Sequence, residues 1–302
     1  MWFWLALIAL LCWSGSDLFS KIGCKEKDDK LSHLKMVTAV GIVMGLHCAY
    51  EIFIGGVELN FDIILTYLPV SALYILSMAI GYLGLRYIEL SISSPICNSS
   101  GALVAILTLI TAGRGEVNNY QLIAVGLVCV GVVALGVVEA TEDDELRLER
   151  QKKGNNIYTK SFIAIAIPVI YCLLDALGTF ADSLVLQKID ESSANAAYEF
   201  TFFVVGMVCL VYVLFIRKGR LTFKQEAPKF IGAAFETAGQ FAYIFAIADK
   251  EHIMLSAPII SAYCVASVIW GRIFLKEKLS WKHYASIAVV VVGIVIIGIY
   301  DI

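Results

Sequence analysis

Five carboxylates stand within strongly apolar stretches of this chain: Asp17, Asp175, Asp182, Glu199 and Glu236. A charge at the centre of a membrane-length helix costs about 2.5–3.5 kcal/mol on insertion scales, so such groups face a cavity or a partner. Two chemistries follow. The acids either pair with a cationic solute, or take up and release protons while a neutral solute moves. Helical spacing arranges their neighbours. Tyr171, Asp175, Thr179 and Asp182 fall at i, i+4, i+8 and i+11, one stripe on one face. Glu236, Gln240 and Tyr243 share a face, as do Trp13, Asp17 and Ser20. Asn98, Gly101, Ala105 and Thr108 form a small, polar face, while Tyr74 pairs with Met78, and Tyr263 with Ser267 and Trp270. Aromatic rings among carboxylates suit an organic cation through cation–π contact. The candidate substrate-binding or proton-coupling set is therefore Asp175, Glu236, Asp17, Asp182, Glu199, Gln240, Thr179, Asn98, Trp13, Tyr74, Tyr171, Tyr243 and Tyr263.

Plainer readings stand beside these. Asp17 has Lys21 at i+4, the spacing of a local ion pair, and Asp182 and Glu199 lie close enough to span ends to reach interfacial water. His47 and Glu51, also four apart, read as an outer-edge acid with a neighbour before they read as a metal pair. Glu116 and Glu277 precede helices, where a carboxylate complements the dipole.

The elements that must position these groups are membrane spans. The chain of 302 residues is 59% hydrophobic and only 16% charged, well outside soluble composition. Its apolar blocks have the roughly 20-residue length a bilayer requires. They fall near 2–22, 34–54, 64–86, 92–113, 119–139, 160–186, 195–216, 226–248, 253–274 and 281–300. The first block lacks a basic n-region and a small-residue cleavage site and reads as a span. The predicted fold class is an all-α membrane protein of ten transmembrane helices around a central cavity.

Several chemistries are absent from the sequence. Seven of the eight cysteines fall in spans, Cys24 lies at an edge, and none forms a CxxC pair. Four scattered histidines, with neither HExxH nor GxGD, leave no protease constellation, and no GxxxxGK[ST] loop binds a nucleotide. The Asn98-Ser99-Ser100 sequon lies inside a span. No cofactor, metal or nucleic acid is expected; the expected partners are a small-molecule substrate, the lipid bilayer and H+ as a coupling ion. A channel is the alternative within membrane proteins.

Of 23 Lys and Arg, the odd-numbered links and adjoining helix ends hold 20 and the even ones three: Arg114, Lys188 and Lys250. The positive-inside rule then puts both termini outside, in a bacterial cytoplasmic membrane. The charged run Thr141–Lys153 reads as a solvated connector. Gly41 and Gly45 form a GxxxG expected to pack within the bundle, and oligomeric state is left open.

The chain also repeats itself. Pro69 and Pro228 are placed at the openings of spans three and eight, Pro95 and Pro258 at those of spans four and nine, where proline costs no hydrogen bond. Leu90-Ser91-Ile92-Ser93-Ser94-Pro95-Ile96 resembles Met254-Leu255-Ser256-Ala257-Pro258-Ile259. Glu116 matches Glu277, and Gly131/Gly136 match Gly293/Gly298, at offsets of 161 to 163. Five spans per copy, an odd number, means inverted copies, the architecture of alternating access. The copies are expected at 1–140 and 160–302, joined by a cytoplasmic connector at 141–159.

Two segments carry a family resemblance. Trp13-Ser14-Gly15-Ser16-Asp17-Leu18-Phe19-Ser20-Lys21 and Phe274-Leu275-Lys276-Glu277-Lys278-Leu279-Ser280 resemble patterns of the drug/metabolite transporter superfamily in its ten-span EamA-type form. The resemblance implies a ten-helix basket with a cavity lined by spans one, three, four, six, eight and nine, and a transporter, not an enzyme. The chain departs from the family in Asp17, where an amide is usual, and in its termini, which the family usually places in the cytoplasm.

Overall fold

The computed structural model describes residues 1–24, 29–87, 90–111, 113, 117–141, 162–249, 251–276 and 279–300. All regular structure among them is helical: α1 Trp2–Cys24, α2 Ser32–Phe53, α3 Phe61–Tyr87, α4 Leu90–Cys97, α5 Ser100–Thr111, α6 Asn119–Ala140, α7 Phe162–Val185, α8 Glu191–Val211, α9 Phe223–Ile247, α10 Ile253–Ser261, α11 Tyr263–Phe274 and α12 Trp281–Tyr300. A π-helical turn, Tyr212–Ile216, prolongs α8. These make ten spans long and apolar enough to cross a membrane, with α4–α5 and α10–α11 as the fourth and ninth.

The apolar blocks locate the spans, but polar caps set their ends. Asp190 accepts the Ser193 amide at 2.9 Å, so α8 starts at Glu191, four residues before its apolar block. Asn60 Oδ1 likewise accepts the Ile63 amide at 2.9 Å and brings α3 forward to Phe61. Asn118 and Gln121 close a capping box on α6.

The four paired prolines are not at helix openings. Pro69, Pro95, Pro228 and Pro258 all lie inside helices. Spans four and nine break shortly after theirs, at Asn98–Ser99 and at Ala262. Backbone interrupted within a span needs side-chain partners. At the break after Pro95, Ser99 Oγ donates to the Pro95 carbonyl at 3.1 Å, and Asn98 Nδ2 joins the Asn98 amide on the Ser94 carbonyl at 2.8 Å. The two breaks meet, since a Cβ on Gly101 would strike Ser261 Oγ and lie 2.9 Å from the Ala257 carbonyl.

The packing repeats with the sequence offset. α1 packs on α9 and α3 on α7, while α2 pairs with α8 and α6 with α12. Exchanging each helix for its counterpart in the other half maps this set onto itself. Single residues obey the same exchange. Gly131 faces Ser286 and Val290, and Gly293, 162 positions on, faces Ala124 and Val128. Gly15 meets the Phe235 ring, and Gly178 meets the Tyr74 ring. Gly41 and Gly206 face each other, a Cβ on Gly41 lying 2.8 Å from Gly206 Cα. The GxxxG of α2 thus packs within the bundle, against α8.

Not all basic residues are solvated at span ends. Lys21, Lys35, Arg86 and Lys229 are buried, Lys229 to 1% exposure. Lys35 pairs with Asp29 at 2.8 Å and Glu226 at 3.2 Å, and Lys229 pairs with Glu226 at 2.9 Å. Glu116, Glu277 and residues 142–159 of the expected connector lie outside the described residues.

Candidate functional site

One cavity runs into the middle of the bundle. α1 contributes Trp13, Ser16 and Asp17, and α3 contributes Tyr74, Met78 and Tyr82. The break in span four brings Ser94, Asn98 and Ser100. α7 presents Tyr171, Asp175 and Thr179 along its stripe, α9 presents Glu236, Gln240 and Tyr243, and the second break presents Ser261 and Tyr263. Of the thirteen sequence candidates, all but Asp182 and Glu199 line this space.

Hydroxyls hold the carboxylates in place. Ser94 Oγ donates to Asp17 Oδ2 at 2.6 Å and Ser267 Oγ donates to the same oxygen at 2.8 Å. Asp17 is therefore gripped by both broken spans, and its neighbour Lys21 turns to the Leu85 carbonyl at 2.8 Å. Ser100 Oγ donates to Asp175 Oδ2 at 2.7 Å. Glu236 lies beside Ser16 and Trp13. Gln240 is buried with its Nε2 lacking a hydrogen-bond partner, a donor available to an acceptor on a solute.

Asp182 sits just behind the cavity wall. It does not reach interfacial water: it is fully buried, with Tyr67 OH donating to Oδ1 at 2.8 Å and Tyr74 OH to Oδ2 at 3.4 Å. Tyr74 OH also shares a hydrogen bond with Tyr243 OH and lies 3.1 Å from Thr179 Oγ1. A continuous hydrogen-bonded chain thus joins Asp182 to two cavity-lining tyrosines. Glu199 is buried too, but away from the cavity, 2.9 Å from His47 Nδ1 on α2. Glu51, two residues from the end of α2, is also buried and accepts from Asn195 Nδ2 at 3.2 Å, so it turns into the bundle and not out to water.

Aromatic rings form the other component. Trp13 lies 5.0 Å from the Tyr243 ring and 5.8 Å from that of Tyr263, and Tyr74 is edge-on to Tyr198 at 5.9 Å. No Lys, Arg or His is among the described lining residues, whereas Asp17, Asp175 and Glu236 are. Ser16, Tyr82, Ser94, Ser100, Tyr198 and Ser261 line the candidate site as well, and sequence reasoning did not single them out. A serine in a span carries no signal until its acidic partner, 75 or 77 residues away for Ser100 and Ser94, is known.

Comparison with known proteins fits this geometry. Residues 162–299 match the model of the EamA-like transporter family. A solved crystal structure shares the fold with a TM-score of 0.64 at 11% identity, over 98% of this chain and 96% of that one. No curated protein matches the sequence. The chain is therefore a multi-pass membrane protein whose second half matches the EamA-like transporter family, a family of the drug/metabolite transporter superfamily.

Proposed function

We propose that the protein is a secondary transporter that moves a cationic or zwitterionic amine by alternating access. The observation that carries the substrate class is the cavity lining: three carboxylates and seven aromatic rings converge on one space with no basic side chain among its described residues. Carboxylates pair an ammonium group, the rings add cation–π attraction, and Gln240 Nε2 suits the acceptor end of a zwitterion. The exchange of packing partners between halves supports two inverted copies, 1–140 and 160–302, whose rocking about the crossed breaks of spans four and nine would open the cavity to either side. The concentration of Lys and Arg in the odd links supports their placement in the cytoplasm, with both termini outside.

A second reading rests on Asp182. It touches no cavity space itself, yet the Tyr74 hydroxyl, and through it that of Tyr243, ties it to the wall, the arrangement of a proton carrier. Under this reading H+ is the coupling ion and the solute is neutral. A binding panel separates the two. Purified wild-type protein is titrated with primary and quaternary amines, zwitterionic amino acids, nucleosides and sugars, with thermal stabilisation as readout. The proposal expects stabilisation by an amine or zwitterion that disappears in Asp175→Asn and Glu236→Gln. Stabilisation only by a neutral solute, retained in both variants, overturns the amine assignment and leaves proton coupling.

A further inference from the structure

We propose that His47, Glu51 and Glu199, with Asn195, form a binding site for a divalent transition-metal ion of the zinc type, separate from the central cavity. One nitrogen of His47 and one oxygen from each carboxylate lie within 4.8 Å of one another, although the three residues come from two spans. His47 Nδ1 is 2.9 Å from both oxygens of Glu199. Imidazole and carboxylate are the donor types zinc takes, usually completing four-coordination with a water or a further protein ligand.

Charge balance favours a cation here. Glu199 is 0% exposed and Glu51 8%, and they face a single imidazole. A protonated His47 would leave one negative charge in excess in an apolar bundle, where an uncompensated charge is costly. A divalent ion with neutral histidine and two carboxylates leaves none. An independent observation points the same way. Asn195 is fully buried between the acids, its Nδ2 donating to Glu51 Oε2, yet its Oδ1 has no hydrogen-bond partner. Buried amide oxygens are seldom left unsatisfied, and this one belongs to an amide already in contact with the cluster.

The scaffold is rigid and the site reachable. Gly41 and Gly206 bring α2 and α8 into backbone contact. Thr38 Oγ1 donates to the Gly206 carbonyl at 3.3 Å, and Cys48 Sγ lies 3.4 Å from that of Ala196. The Phe241 ring packs T-shaped against the imidazole, with centroids 5.5 Å apart. His47 keeps 31% of its side chain exposed, so the imidazole is not sealed inside the bundle. None of the four residues lines the central cavity, so the site does not depend on which solute the protein carries.

The test is calorimetric titration of tag-free, chelator-treated full-length protein in detergent with Zn2+, alongside melting temperature. Wild type is expected to bind one ion saturably and to gain thermal stability with it. His47→Ala, Glu51→Gln and Glu199→Gln should each weaken binding by about 100-fold or more, the upper end of what even outer-shell partners contribute. His47 is the least buried of the three ligands, so His47→Ala keeps the test valid if a buried glutamate variant fails to fold. Absence of saturable Zn2+ binding in wild type, or binding that survives His47→Ala unchanged, overturns the proposal.

Discussion

The exchange of contacts between the two halves allows a matched pair of steric insults, one inside the site and one outside it. Gly178 and Gly15 are counterparts, each pressed against an aromatic ring. A Cβ at Gly178 would lie 2.8 Å from Tyr74 Cε1, and one at Gly15 would lie 3.1 Å from Phe235 Cγ. Ordinary carbon contacts sit at about 3.5–4.0 Å, so the Tyr74 ring must retreat by about 0.7 Å and the Phe235 ring by about 0.4 Å. Phe235 is 38% exposed and free to yield. For Gly15→Ala the strain should nearly cancel against the gain of about 0.5–1 kcal/mol from replacing a helical glycine. Tyr74 is pinned by Thr179, Asp182 and Tyr243. Gly178→Ala should therefore cost about 1–3 kcal/mol of overpacking and loosen at least one hydrogen bond worth about 0.5–1.5 kcal/mol. Applied to the solute-bound state, the hydrogen-bond loss alone weakens affinity by up to about tenfold. Melting temperature and solute affinity, measured on both variants in the same detergent, check this. The reasoning is refuted if Gly15→Ala loses as much affinity as Gly178→Ala, or if both bind as wild type does.

Three further outcomes are expected. Ser267→Ala and Ser94→Ala each remove one of the two hydroxyls on Asp17 Oδ2. Each variant should weaken solute binding by less than Asp17→Asn does, and the double variant should approach Asp17→Asn, as titration of the set would show. Asp190→Ala removes the cap of α8 and should cost about 1 kcal/mol at neutral pH by chemical denaturation. Burial is the largest single influence and raises the Asp190 pKa, but hydrogen bonds from Ser193, Ser192 and its own backbone together outweigh it and hold the carboxyl below its ordinary value. The charged-form advantage is therefore full above the unfolded value of about 3.9 and is lost as pH falls through the lower folded value. The gap between wild type and variant should narrow only below about pH 4. For orientation, Glu58→Cys should react with an impermeant maleimide in intact cells, and Lys224→Cys only after permeabilisation; the reverse pattern would invert the assignment.

What the sequence revealed depended on the range of the signal. Span number came from block length, a local property, and all ten spans stand where the apolar blocks put them. The α7 stripe was likewise legible, because 3.6-residue periodicity places Tyr171, Asp175 and Thr179 on one face without knowledge of any neighbour. The same pattern extended to Asp182, which the fold sets behind the wall, because its partners Tyr67 and Tyr74 come from α3. Glu199 shows the limit most clearly. Its acidity marked it as requiring a partner, but His47 lies 152 positions away, and no local pattern announces such a pairing. The prolines misled for a different reason. Proline at a helix start and proline before a mid-span break look alike in sequence, and the distinguishing Asn98 and Ser99 act only through carbonyls that the break exposes.

The central claim is that this cavity carries its solute by alternating access. Counterflow tests it most directly: proteoliposomes loaded with unlabelled amine identified by the binding panel are diluted into trace labelled amine, and the internal label is followed. The account predicts a transient overshoot of label above equilibrium in wild type, absent in Asp175→Asn and Glu236→Gln proteins that fold normally. Passive equilibration without overshoot in wild type, as a channel would give, or an undiminished overshoot in both variants, would contradict it.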